Sequence, residues 1–373
     1  MKTVSQKFNG LDHLRALAII MVLIYHYRMF SHPEWVDIYG RFGWMGVDLF
    51  FVLSGFLISR QLFEENKKRR KINVKSFYIK RFFRIIPPYA VVLILYFSFP
   101  VFREREALPA LWKFITFTQN LGLNVMTSGT FSHAWSLCIE EQFYLLFPLI
   151  LLLFLRFKGL NYFVLFLFFL LFLSIITRFF SWQYFITPNL DSPYFFKIWY
   201  MKIYYPTYTR LDALVVGILI AYCYEFSVLI RNFIDSNGNA LLLTGLIMIG
   251  FSLWICNNQT SELASIIGFT VVAFTFGLIV MSAISKSSVL YNLKSSWSTQ
   301  IAALSYSVYL SHKGIIHLTQ LFLEKLKIDT ENNFTLMISF IACIITGFIF
   351  KYLIEKPSAK IKTHLFKKTL LAS

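Results

Sequence analysis

The sequence predicts an all-α, polytopic membrane protein of about ten transmembrane helices. Two observations predict it. Of 373 residues, 57% are apolar and only 15% charged, with a mean hydropathy of +0.60. Soluble domains run nearer roughly 45–50% apolar and about 25% charged. The apolar residues also gather in blocks, such as 160–180, 240–256 and 261–284, each close to the about twenty residues that span a bilayer as a helix. The same composition excludes disorder, which needs low hydrophobicity. No short alternating segments with a polar face appear, so a β-barrel is not expected.

Ten stretches read as spans: 11–30, 43–62, 82–101, 135–155, 160–180, 209–227, 239–256, 262–284, 297–322 and 334–354. The third is the least regular at its start. Pro87 and Pro88 fall in its first turns, where N–H groups lack partners in any case. Lys and Arg set the orientation. With the N-terminus inside, the inner segments hold 22 of them, among them Lys2, Lys7, Arg156, Lys158 and ten in 60–84; the outer segments hold 12. The bias predicts N-in and C-in. The net charge of +17 then reads as topology and contact with membrane lipids, with no nucleic acid partner. Cys138, Cys223, Cys256 and Cys343 are far apart, without CxxC or metal-ligand spacing. They read as buried apolar thiols, and no metal is expected. The first apolar block carries Asp12, His13 and Arg15, which suits no cleavable signal peptide. One integral membrane domain over 1–373 is expected.

Ionisable residues inside spans are costly, so each is a functional candidate. Arg15 and His26 share the first helix, eleven residues apart. That spacing is about three turns plus 20°, so both face one side, separated by about 16 Å. Asp48 sits early in the second helix, and Glu140 and Glu141 early in the fourth. The topology gives His26, Asp48 and the glutamates a similar, outer-half depth. A histidine with carboxylates in a low dielectric has the makings of an acid/base centre. The alternatives stay open: His26 bonded to a neighbouring helix for packing, and the carboxylates placed for the helix dipole. His13, His32, His133 and His364 lie near span ends and read as structural.

Loop 60–84 leads into Lys80-Arg81-Phe82-Phe83-Arg84. The positive-inside bias explains Lys67–Lys71. Arg81 and Arg84, three apart on a helix start, share a face. Two guanidiniums there can grip a phosphorylated ligand bidentately.

These residues make the chain resemble the acyltransferase-3 family, integral membrane acyltransferases that include bacterial O-antigen acetylases. The family's Arg-x10-His pair matches Arg15 and His26. Its Gly-Val-Asp-Leu-Phe-Phe-Val-x-Ser-Gly-Phe-Leu segment matches Gly46–Leu57, and its Arg-x-x-Arg-Ile-x-Pro-x-Tyr segment matches Arg81, Arg84, Ile85, Pro87 and Tyr89. Trp135–Tyr144, Arg210–Leu214, Ser305–His312 and Glu355–Pro357 match its later elements in order. The family often carries a fused SGNH hydrolase-like domain. This chain shows none, so the resemblance is to the stand-alone form.

The resemblance implies transfer of an acyl group, usually acetyl, from cytoplasmic acyl-CoA to a hydroxyl of an extracytoplasmic or lipid-linked glycan at the bacterial inner membrane. Lys80, Arg81 and Arg84 would hold the CoA phosphates, and the pantetheine arm would pass Arg15. His26 would act as general base, or carry the acyl group covalently. Asp48 or Glu140, with Glu141 beside it, would orient it. Trp135, Ser136 and Tyr309 are oxyanion or acceptor candidates by location. Arg210 and Asp212 either anchor the acceptor or pair with each other. The competing class is a transporter or flippase of lipid-linked sugars, but no Gly/Pro-broken helix pair in matching halves points to one.

Overall fold

The computed structural model describes residues 8–157 and 159–371, which fold into helices without any strand. Lys2, Lys7 and Lys158 lie outside the described residues, as do the side chains of Lys367 and Lys368. The first eight helices are α1 (Asn9–Tyr27), α2 (Trp35–Gly40), α3 (Met45–Arg69), α4 (Val74–Ser98), α5 (Leu111–Ile115), α6 (Trp135–Arg156), α7 (Leu160–Ser181) and α8 (Phe195–Trp199). The rest are α9 (Asp212–Phe226), α10 (Val228–Ser236), α11 (Gly238–Ile255), α12 (Phe269–Ile284), α13 (Val289–Asn292), α14 (Ser296–Lys325), α15 (Asn333–Phe350) and α16 (Lys356–Leu371).

Each of the ten predicted stretches is helical. Among the described residues, seven helical runs are long and apolar enough to cross a membrane, or eight if the α9–α10 pair is one broken span. The chain is a multi-pass helical membrane protein. The helices α1 and α14 fall outside the seven. They carry Asp12, His13, Arg15 and His26, and His312 and Lys313, along with many serines in α14. The fifteen residues of α9 are too few alone, and α10 turns away from it by 105°.

The third predicted helix needs correction at its start. It begins at Val74 and not at 82. Asn73 caps it, its side chain accepting from the Ser76 N–H at 2.9 Å. The basic segment therefore lies on α4 itself, and Pro87 and Pro88 lie in its interior. There a proline removes a helix hydrogen bond. The Tyr306 hydroxyl from α14 donates to the neighbouring Ile85 carbonyl at 3.0 Å.

Two runs form the core. The run holding α3 is 78% buried within its apolar window and the run holding α12 is 67%, against 22–39% for the other five. The helices α1 and α9 close around them, and α14 packs on α1. Where α3 meets α9, the backbones touch at Gly55 and Gly217. A Cβ on Gly217 would sit 2.7 Å from the Phe56 nitrogen, and one on Gly55 3.0 Å from the Leu214 carbonyl carbon. Small residues are what allow membrane helices to approach this closely.

Candidate active site

A cavity of about 800 Å³ lies between α1, α3, α4, α6 and α14, within the range of roughly 300–1,000 Å³ usual for ligand sites. One end is basic and exposed. Lys68 and Arg69 reach it from the end of α3, and Lys80, Arg81 and Arg84 from α4. The guanidinium of Arg81 donates to Gln61 Oε1 at 3.4 Å and lies 5.3 Å over the Tyr144 ring. Arg15, Glu140 and Glu141 form the middle. Glu140 is held by hydroxyls, accepting from Ser54 at 2.9 Å and Tyr144 at 3.2 Å. Glu141 Oε1 is buried with no partner among the described residues. A smaller chamber of about 290 Å³ shares Arg15 and Arg84 with it and reaches Glu355.

Ser136 and Tyr309 line the far, buried end. Their hydroxyls are 2.5 Å apart, and Tyr309 donates to the His133 carbonyl at 2.8 Å. Immediately behind stand three buried histidines. The rings of His26 and His312 are 4.9 Å apart, those of His133 and His312 4.6 Å, and those of His26 and His133 5.8 Å. His26 Nδ1 meets His312 Nε2 at 2.9 Å. The neighbouring Lys313 is buried too, with its Nζ 3.2 Å from Ser132 Oγ and 3.9 Å from Glu104 Oε1.

A strained turn delivers His133. Phe131 has φ +56°, the left-handed region that non-glycine residues avoid. Its ring is fully buried and stacks on Tyr96 at 4.4 Å and on Phe114 at 5.5 Å, while its N–H donates to Glu104 at 3.0 Å. These contacts hold the left-handed residue, and the chain turns through Ser132–Ala134 into α6. Strain held this way clusters at functional sites.

The structure thus gathers Arg15, Lys80, Arg81, Arg84, Ser136, Glu140, Glu141 and Tyr309 around one cavity, with His26 one layer behind its end. It does not bring Asp48 to His26. Both Asp48 oxygens accept from Arg210 Nη2, at 2.9 and 3.0 Å. That guanidinium lies 3.9 Å over the Phe269 ring, 4.9 Å over Tyr204 and 5.5 Å over Trp135. Trp135 therefore sits in this aromatic cluster and does not line the cavity. Arg210 and Asp212 do not pair with each other. Asp212 binds Arg178 at 2.9 and 2.8 Å and also accepts from Thr270.

Reading the sequence missed His133, His312, Lys313 and Glu104 as parts of this region. For His312 a signal existed: Ser305, Tyr309 and His312 follow helical i, i+4, i+7 spacing. For His133 none did. It sits outside any periodic segment, and only the turn at Phe131 brings it in. Among the described residues, no cluster of His, Cys, Asp or Glu is arranged to hold a metal ion.

A multi-pass helical membrane protein with a basic-mouthed cavity ending at buried histidines is the class that fold and site define. The chain belongs to the acyltransferase-3 family, whose model, described as an acyltransferase domain, matches residues 8–355. It is similar to the O-acetyltransferase OatA of Staphylococcus aureus strains NCTC 8325 / PS 47, COL and MRSA252, with 31% identity over 335 residues. The match covers 82% of this chain and 50% of each relative, so the chain spans about half the length of the curated relatives it matches. No solved structure matches it significantly.

Proposed function

We propose that this membrane acyltransferase moves an acetyl group from cytoplasmic acetyl-CoA to a hydroxyl of an extracytoplasmic or lipid-linked glycan, at the bacterial inner membrane. The carrying observation is one continuous cavity that runs from the arginines of α4 to the hydroxyls beside the histidines. With N-in, C-in topology the basic mouth faces the cytoplasm, where CoA is. Lys80, Arg81 and Arg84 hold its phosphates by charge-assisted hydrogen bonds. The pantetheine arm runs past Arg15 and Glu140 and brings the thioester to the Ser136–Tyr309 end. There His26 takes the proton of the acceptor hydroxyl as that oxygen attacks the thioester carbon. The C–S bond breaks, and the proton passes to the leaving thiolate. Asp48 belongs to the scaffold in this reading, because its carboxylate is taken up by Arg210.

Sealed inverted vesicles test this. Acetyl-labelled acetyl-CoA is supplied at the exposed cytoplasmic face, and label in glycan or lipid-linked glycan is measured. Transfer by wild type and none by His26→Ala is expected. Equal transfer by both would remove His26 from the chemistry. Transport of a sugar with no dependence on acetyl-CoA would favour the flippase reading.

A further inference from the structure

We infer that His312 is the positioning residue of His26, fixing its tautomer through a chain of bonds that begins at a backbone carbonyl. This rests on the reading of His26 as the base. Nδ1 of His312 lies 2.8 Å from the Tyr309 carbonyl oxygen. A carbonyl only accepts, so this nitrogen carries the hydrogen. In a neutral ring the other nitrogen, Nε2, then carries a lone pair. It faces His26 Nδ1 at 2.9 Å, so that nitrogen must donate. The lone pair of His26 is left on Nε2, and Nε2 is the basic atom. The order is carbonyl, His312, His26, acceptor hydroxyl.

The opposite order needs a doubly protonated His312. Its ring is fully buried and next in sequence to the buried ammonium of Lys313. Among the described residues, Glu104 is the one carboxylate that ion-pairs with Lys313, and its Oε1 is already shared with the Phe131 N–H. A second buried cation beside it would lack a counter-charge. Among the described residues, no carboxylate is bonded to His26 in place of His312. Asp48 is bound by Arg210, and Glu140 by Ser54 and Tyr144. A neutral imidazole here does what a carboxylate does in a Ser-His-Asp triad. When His26 accepts the acceptor's proton, its Nδ1–H stays bonded to His312, and no proton is lost from the pair.

The test compares three substitutions in the vesicle assay, with melting of purified protein as a folding control. Asn places its amide near Nδ1 and keeps the link to Tyr309, but falls short of His26. Gln carries a carbonyl out to the position of Nε2, where it accepts from His26. His312→Gln is expected within about tenfold of wild-type kcat. His312→Asn and His312→Ala are expected to fall by about 10²-fold or more, with the acetyl-CoA KM within about threefold. A packing role would favour Asn over Gln, so turnover by His312→Asn equal to or above that of His312→Gln overturns the inference. A second measurement covers the case in which all three are inactive. Nitrogen-15 spectra of histidine-labelled wild type, assigned with His26→Ala, should show His26 protonated at Nδ1. A resonance protonated at Nε2 overturns the inference whatever the kinetics. If His26→Ala itself turns over normally, the reading of the base has failed, which is a separate result.

Discussion

Replacing Asp48 by Asn separates a scaffold role from a catalytic one. The Asp48–Arg210 pair is buried, with each side chain at most 3% exposed. Arg210 uses Nη2 on both carboxylate oxygens, and its Nε and Nη1 have no partner among the described residues. Asn keeps the shape and deletes the charge, leaving a buried guanidinium compensated only by aromatic faces. Breaking such a pair from one side destabilises by about 3–5 kcal/mol. With an unfolding entropy of about 2.1 cal/mol/K per residue over 373 residues, that predicts a fall in Tm of roughly 4–6 °C. The assay is thermal unfolding in detergent, paired with acetyl transfer normalised to folded protein. Asp48→Asn is expected to lower Tm and the yield of folded protein while keeping kcat within about threefold, since the carboxylate is not bonded to His26. Removing both partners, as Asp48→Leu with Arg210→Met, should recover much of the lost stability, because a desolvated pair replaced by apolar side chains is often neutral. An unchanged Tm with turnover lost by orders of magnitude would refute this and return Asp48 to the chemistry.

Arg81→Ala and Arg84→Ala should each raise the acetyl-CoA KM by about tenfold or more with a smaller change in kcat, as expected on losing one charge-assisted bond of ~1.5–3 kcal/mol; steady-state kinetics at varied acetyl-CoA decides it. Gly217→Ile should abolish folded protein in size-exclusion profiles, because its Cβ would meet the Phe56 nitrogen of α3 at 2.7 Å, and backbone cannot step aside as a side chain can. Phe131→Gly removes about 1–2 kcal/mol of left-handed strain but deletes a fully buried ring worth about 3–5 kcal/mol. A lower Tm is the expected net, together with lower turnover as the His133 turn loosens. A higher Tm would mean the ring contacts are weak.

The helices were legible because bilayer-length apolar blocks are a strong signal, and the ten stretches all became helices. Their ends were less so. The basic segment from Val74 looked like loop because Lys75, Lys80, Arg81 and Arg84 dilute its hydropathy, yet Asn73 starts a helix there. Most of the cavity lining was legible, since Arg15, Arg81, Arg84, Glu140 and Glu141 are charges in apolar surroundings. The pairing of those charges was not. Depth along a helix places Asp48 and His26 at a similar level, but only the rotation of α3 against α9 decides that Asp48 meets Arg210. His133 was invisible for a related reason. It depends on a left-handed turn clamped by rings from α4 and α5, which no periodicity encodes.

Two of the helices outside the seven apolar runs supply the paired histidines of the site. Arg15 and His26 come from α1; Tyr309, His312 and Lys313 come from α14. Their polar content is what lowers their hydropathy, and it is tolerated because the two pack on each other and on α3, α12 and α15. Polar side chains within a membrane protein are stable when they face the interior and find partners. That is so for the ring-to-ring bond of His26 and His312 and for the Ser136–Tyr309 hydroxyls. The peripheral helices α7, α11 and α15, by contrast, expose large apolar side chains such as Phe172, Ile247 and Ile341. The fold is therefore an apolar shell that permits two polar helices to meet in its middle. The side chains where they meet are those that the acyl-transfer reading uses.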